Sequence, residues 1–304
     1  MPTLAMTAPS PAIAAIQAFS APFSIEVPAL DVEGLVNTAT WLPAGTEVFV
    51  PALPDQADAV LVQACTKFRK GGYEPVPHIA ARLYTRLQLE DVLDALATHS
   101  GVDRALVVGG DIEHPLRGHL GGSAEALGTG LLAKYGFKTI GIAGYPDGHR
   151  WISSATLRAS LEDKLRVCQL EGHEPFIAMQ FSFDAERIVR WCEEFIAAHP
   201  GIPIAVGMAG PARLGTLLRY ATRCGVSGTL RALTTYRDTT ARLLRAATPD
   251  RELSAVARLA NEQPGVLRPH FFTFGGFAQT LAWLHAIEEG RIRVHQARDG
   301  FAVV

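Results

Sequence analysis

The chain has 304 residues, with 28 basic against 30 acidic side chains, a formal charge of −2 and 48% apolar residues. That apolar share excludes extensive disorder, and the near-neutral balance excludes an overall basic field for nucleic acid or anionic lipid. The four cysteines, Cys65, Cys168, Cys192 and Cys224, are far apart without C-x-x-C spacing, which argues against a disulfide framework or structural zinc and fits a reducing cytosol.

In chain order, the first residues are apolar and alanine-rich. The first basic residue is Lys67, and Pro2, Pro9 and Pro11 interrupt the stretch, so neither a targeting peptide nor a membrane span is expected. Residues 1–22 read as a tail with a short helix around Ile13–Phe19, in a cytoplasmic protein. From Phe23 onward, β-rich runs alternate with helical periodicity. Strands are expected at Phe23–Ala29, Glu47–Leu53, Glu74–Ile79, Arg104–Asp111, Thr139–Tyr145, Phe176–Phe183, Ile202–Met208 and Pro269–Phe274. Helices are expected at Asp55–Lys70, Leu89–His99, Ala124–Tyr135, Ser154–Leu170, Ala185–Ala198 and Phe277–Glu289. In the fourth of these, Leu157, Leu161, Leu165 and Cys168 form one apolar stripe, and Ser153 or Ser154 can cap its start.

Runs such as ALVVGG and IPIAVGM are apolar at nearly every position, which suits parallel strands covered on both faces. The pattern predicts an α/β protein, a single-domain (β/α)8 TIM barrel over residues 23–293 with a C-terminal tail at 294–304. The seventh unit, Ala212–Asn261, is extended and helical. A doubly wound open sheet is the runner-up, but no G-x-G-x-x-G follows the first strand.

Barrel catalysis belongs at the C-terminal ends of the strands. There the sequence places Glu26, His78, Asp111, Tyr145, His149 and Gln180, which should share one crevice. Glu26 in an apolar strand should have its pKa raised by desolvation, which suits a general acid. His78 serves equally as a strand-end cap. Asp111 could be a plain turn residue, although Gly109-Gly110 before it let a flat ligand approach the backbone. Gln180 is a two-way hydrogen bonder suited to a heterocyclic amide. His270, His285 and His295 have no metal-ligand spacing with carboxylates, so no metal is expected. The loop Gly118–Gly122, with His114, Arg117 and His119 beside it, lacks the P-loop pattern.

Seven segments in order, SIEVPA, PVPHI, VVGGD, GIAGYPDGH, MQFSFD, PIAVGMAGP and HFFTFGG, resemble the methylenetetrahydrofolate reductase family from about Phe23 to Trp283. The resemblance implies a barrel that uses FAD to carry hydride from NAD(P)H to 5,10-methylenetetrahydrofolate, yielding 5-methyltetrahydrofolate in one-carbon metabolism and methionine biosynthesis. It implies Glu26 as general acid, Asp111 as the charge near flavin and pterin, and Gln180 as the pterin-binding amide. It implies His78, Gly110, Asp111, Ala124, Gly144, Tyr145 and His149 as flavin-holding positions. The chain departs from the family at Gly109 (an arginine there), Ser123 (a tyrosine), Cys168 (a lysine, with Lys164 one turn earlier as substitute) and Gly275-Gly276 (Asn-Arg). These departures raise direct hydride transfer from nicotinamide to folate without FAD as an alternative. A folate-dependent methyltransferase and a non-catalytic folate- or flavin-binding barrel are the competing classes. The partners expected are small molecules, with no nucleic acid or membrane, and apolar positions on the outer helices would serve a homo-oligomer.

Overall fold

In the computed structural model, the described residues are 11–38, 42–110, 118–224, 226, 246–295 and 300–304. Eight parallel strands close into a barrel. They are β1 (Ser24–Glu26), β2 (Glu47–Val50), β3 (Glu74–Ala80), β4 (Arg104–Val108), β5 (Thr139–Gly144), β6 (Glu174–Met179), β7 (Ile204–Ala209) and β8 (Leu267–Phe272). They pair in sequence order, and β8 closes the ring on β1, with Ser24 opposite His270 and Glu26 opposite Phe272. The chain is therefore the single-domain α/β barrel expected, not an open sheet.

Alternation sorts the strand residues into two layers. Ile25, Val48, Ile79, Val107, Ile142, Ile177, Val206 and Phe271 belong to the main core, between the strands and the helices around them. Phe49, Val76, Leu106, Phe176 and Ala178 form a separate buried cluster, the packed lumen. Both faces of each strand are thus buried, which is why the strands read as unbroken apolar runs.

The helices are α1 (Pro11–Ser20), α2 (Val32–Thr38), α3 (Asp58–Lys70), α4 (Arg86–Ser100), α5 (Ser123–Leu127), α6 (Leu131–Lys134), α7 (Ser154–Glu171), α8 (Ala185–Ala198), α9 (Leu214–Arg223), α10 (Asp250–Glu262) and α11 (Phe277–Glu288). Local chemistry sets their ends. Thr85 and Gln88 form a capping box that starts α4, and Asp184 caps α8 through Arg187 N at 3.1 Å. Ser153 is the residue that caps α7, at 3.1 Å from Thr156 N, and Gly172 ends that helix with φ +74°. The single helix expected over Ala124–Tyr135 is instead two, α5 and α6, separated at Gly128–Gly130, where Gly130 takes φ +70°.

In the extended seventh unit, α9 and α10 flank residues 227–245, which lie outside the described set. A two-residue antiparallel pairing, Ala212–Arg213 with Ala246–Ala247, brings the two sides together. The N-terminal α1 packs on α10 and α11, and Gln17 Nε2 donates to the carbonyls of Ile287 and Glu288 at the end of α11, at 3.1 and 2.9 Å. The chain end, read as a tail, contains an antiparallel hairpin, Ile292–Val294 with Phe301–Val303, and Phe301 stacks on Trp283 at 5.8 Å. No described helix is long and apolar enough to cross a membrane.

Candidate active site

The lumen is polar at both ends and apolar between. At the N-terminal end Glu47, first residue of β2, meets Arg104 of β4 at 2.6 Å and Arg268 of β8 at 2.5 Å. The Arg268 guanidinium also lies 5.4 Å from the centre of the Phe176 ring, above that pair. This end is a closed ionic floor.

At the C-terminal end, Glu26 ends β1, and its Oε2 lies 3.6 Å from Nε2 of His78 on β3. Their strands flank β2, whose Phe49 places its ring edge-on to His78, with centroids 6.1 Å apart. Burial pushes the Glu26 carboxyl up from 4.5 to about 8 and the His78 imidazole down from 6.5 to about 4. At neutral pH both are uncharged, so the contact is not an ion pair, and the proton resides on the carboxylic acid. His78 Nε2 is buried without a hydrogen-bond partner.

One layer down, Ser24 Oγ and His270 Nδ1 hydrogen-bond at 2.9 Å. The His270 ring packs on Phe49 at 4.4 Å and on Phe272 at 4.9 Å. Burial, then the nearby His78 and Arg268, hold His270 well below the usual histidine range. Neutral polar groups thus run along β1 and β8 beneath the acid.

The rim after β5 carries a series of rings. Tyr145 meets His149 edge-on at 5.6 Å, and His149 meets Trp151 at 5.6 Å. Asp147 ties this loop to the one after β6 by accepting from Ser182 Oγ at 3.1 Å. Gln180 N donates to Gly144 O at 2.8 Å, and the Gln180 side-chain oxygen accepts from Phe181 N at 3.0 Å. Beside it, a Cβ on Gly207 would fall 2.1 Å from Met179 O, so only glycine lets β7 pass the end of β6. Phe181, Phe272, Phe274 and Tyr220 form an aromatic wall past this crossing, with Tyr220 stacked on Phe274 at 4.2 Å.

The structure therefore brings Glu26 and His78 together and sets Tyr145, His149 and Gln180 on the same end of the barrel. Gly110 forms the turn after β4 with φ +92°, against Ala80 of β3. The strand expected to reach Asp111 ends at Val108, because the Gly109-Gly110 turn follows it, and Asp111, His114 and Arg117 lie outside the described residues. A Cβ on Gly144 would meet Ile177 and Trp191 at 2.8 Å, so its bareness serves packing against α8, and it offers a ligand only its backbone. Ala124 lies in α5, which packs on α7. Lys164 of α7 is buried beside Cys168, burial lowers its pKa, and it pairs with no carboxylate among the described residues. Cys168 itself is fully buried, and burial raises its thiol to about 11. The described residues contain no group of three or more side chains placed to hold a metal.

Sequence reasoning did not single out Ser24, and it weighed His270 only as a metal ligand. The signal was present in the two-residue period: Ser24 stands two before Glu26, and His270 two before Phe272, on the same inward columns.

A closed ring of eight parallel strands with helices between them defines the class, an α/β TIM barrel, with Glu26 and His78 at the C-terminal end of its strands. No protein-family model matches the chain. Methylenetetrahydrofolate reductase 2 of Saccharomyces cerevisiae is 27% identical over 157 residues, which cover 49% of this chain and 26% of that protein. The matched part is thus about a quarter of that relative's length. An uncharacterized protein from Clostridium thermocellum that binds two copies of 5-methyl-5,6,7,8-tetrahydrofolic acid superposes with a TM-score of 0.55 at 10% identity, over 90% of this chain and 98% of that one. A dihydropteroate synthase from Thermus thermophilus superposes with a TM-score of 0.48 at 15% identity, over 88% and 93% of the two chains. About half of the chain is thus similar in sequence to a methylenetetrahydrofolate reductase.

Proposed function

We propose that this barrel reduces 5,10-methylenetetrahydrofolate to 5-methyltetrahydrofolate with NAD(P)H. The observation that carries the reading is Glu26, a carboxyl held protonated near neutral pH at the mouth of the barrel. The bridging carbon of the substrate accepts hydride only after its bond to N10 breaks. Glu26 donates its proton to N10 as that bond opens, which leaves a cationic N5 iminium, and hydride from the nicotinamide then converts the methylene to methyl. One proton and one hydride enter, and the oxidised nicotinamide leaves. His78, itself neutral, keeps the environment of Glu26 uncharged, and Ser24 with His270 holds the layer beneath. Gln180 is the pterin-facing amide, and Asp111 would oppose the iminium charge.

The residues present fit a flavin dinucleotide in two respects. His78 has an orphaned buried nitrogen at the mouth, and the buried Lys164 ammonium has no carboxylate among the described residues. His78, Tyr145 and His149 would hold the ring end, and Gly110, Asp111, Ala124, Lys164 and the Gly144 backbone the ribityl-diphosphate arm. When bound, FAD would supply two-electron storage between nicotinamide and folate. A second reading, direct transfer from nicotinamide to folate, draws on Cys168: the residue in the place of the family's lysine is buried in the core and has no charge to offer a phosphate.

The test is nicotinamide oxidation by flavin-stripped protein with methylenetetrahydrofolate, with FAD added or withheld and both NADH and NADPH tried. Activity only with FAD supports the flavin route, and activity without it supports direct transfer. Folate-independent behaviour in every tube overturns the reductase and leaves methyl transfer or binding alone.

A further inference from the structure

Thr273 follows β8, and nothing in the mechanism above uses it. Its Oγ1 donates to the backbone carbonyl of Glu26 at 2.6 Å, an ordinary hydroxyl hydrogen bond that spans 247 residues of chain. The reason lies in the sequence of β1. That strand is three residues long, Glu26 is its last, and Pro28 beyond it has no N–H with which to carry a ladder on. The register with β8 accordingly ends with Glu26 opposite Phe272, and a side-chain hydroxyl takes the carbonyl there. On the other flank, Val27 N donates to Phe49 O of β2 at 2.9 Å. One peptide unit, the one that follows the acid, is therefore held from both neighbouring strands, its oxygen by Thr273 and its N–H by Phe49.

Thr273 is itself fixed. Its backbone carbonyl accepts from Gly276 N at 2.8 Å, which closes a four-residue turn. Within that turn a Cβ on Gly275 would fall 2.1 Å from Pro211 O, so the turn is wedged against the loop after β7. Phe274, its second residue, stacks on Tyr220 at 4.2 Å. The hydroxyl is thus presented to Glu26 from a seat that two other loops hold in place.

We propose that Thr273 is a positioning residue for Glu26, its hydroxyl fixing the peptide after the acid so that the carboxyl stays beside His78 at the barrel mouth. Without that donor the Glu26 carbonyl would turn toward water, and the rotation about the Glu26 backbone would carry the carboxyl toward solvent. Proton transfer is sensitive to such shifts, since a misplacement of about 1 Å can cost on the order of 10²-fold in rate. The inference deepens the reductase reading and rests on it, but the placement of the carboxyl can be read without turnover.

The experiment compares full-length wild type with Thr273→Val, which keeps the branched shape and removes the donor, and with Thr273→Ser, which keeps the donor. Infrared difference titration against Glu26→Gln reads the Glu26 carboxyl, and steady-state kinetics reads turnover. In Thr273→Val the carboxyl midpoint should move from near 8 toward the ordinary 4.5, with kcat about tenfold lower and KM for the folate within about twofold. Thr273→Ser should restore both the midpoint and kcat. Thr273→Ala removes the same donor with a smaller side chain and should move the midpoint in the same direction. In the Glu26→Gln background, Thr273→Val should lower kcat no further, because no acid remains to be placed. A midpoint unchanged in Thr273→Val and Thr273→Ala overturns the proposal, even if both proteins melt earlier, because the residue then serves the fold alone. A kcat loss that adds to that of Glu26→Gln overturns it too, as does a serine variant that restores neither quantity. A wild type that reduces no folate, with the midpoint still moved in Thr273→Val, would sink the reductase and leave the positioning role standing.

Discussion

At the floor of the barrel Glu47 sits between Arg104 and Arg268, at 2.6 and 2.5 Å, whereas at the mouth Glu26 faces a neutral imidazole at 3.6 Å. Both carboxyls project into one lumen, only a few residues apart along adjacent strands. The floor solves the cost of burial by pairing charge with charge. The mouth solves it by keeping the proton. A buried carboxyl compensated by arginines is locked into one state, while one left with a weak neighbour retains a proton that a substrate can take. The difference separates the part of the lumen that holds the barrel shut from the part to which the proposed function assigns the chemistry.

The contrast can be broken from either end. The largest effect is expected from Glu26→Gln, which keeps the shape and removes the acid: reductase turnover should fall by about 10²–10⁴-fold while folate affinity stays near wild type. Steady-state kinetics together with folate titration checks the split. Next, Glu47→Ala leaves two guanidiniums facing each other in the floor and should destabilise the fold by about 3 kcal/mol, read by chemical denaturation, with activity per folded molecule preserved. The pH dependence of stability is smaller and opposite in sign for the two mouth residues. Glu26 is raised in the fold from 4.5 to about 8, so its contribution is complete below pH 4.5 and is lost as pH rises toward 8. His78 is lowered from 6.5 to about 4, so its contribution is lost as pH falls through that interval. Melts of Glu26→Gln against wild type should therefore show the variant gaining on the order of 2 kcal/mol between pH 5 and pH 8. The smallest effect is expected from Ser24→Ala, which removes the 2.9 Å partner of His270: about 1 kcal/mol of stability, with a several-fold loss of kcat and little change in KM.

Much of the architecture was legible because a parallel barrel buries both strand faces, and runs such as ALVVGG carry that condition openly. Glu26 was legible for the same reason, as an acid set inside the apolar run of the first strand. Its contact with His78 was not, since it depends on how far β1 and β3 lean across Phe49, which only the closed ring fixes. The Ser24–His270 bond spans 246 residues and joins two ordinary-looking positions. At Gly144 the sequence shows a bare position without showing that a side chain there would meet Trp191. The division of α5 from α6 was written in Gly128 and Gly130 and was masked by the apolar periodicity on either side.

The central claim is that Glu26 is a protonated acid at working pH. Infrared difference titration of wild type against Glu26→Gln tests it most directly, since the carbonyl band of a carboxylic acid vanishes on ionisation. A band absent from the variant and lost in wild type with a midpoint near 8 is the predicted result. A midpoint near the ordinary 4.5 would contradict the account, because Glu26 would then be an anion at neutral pH with no proton to give.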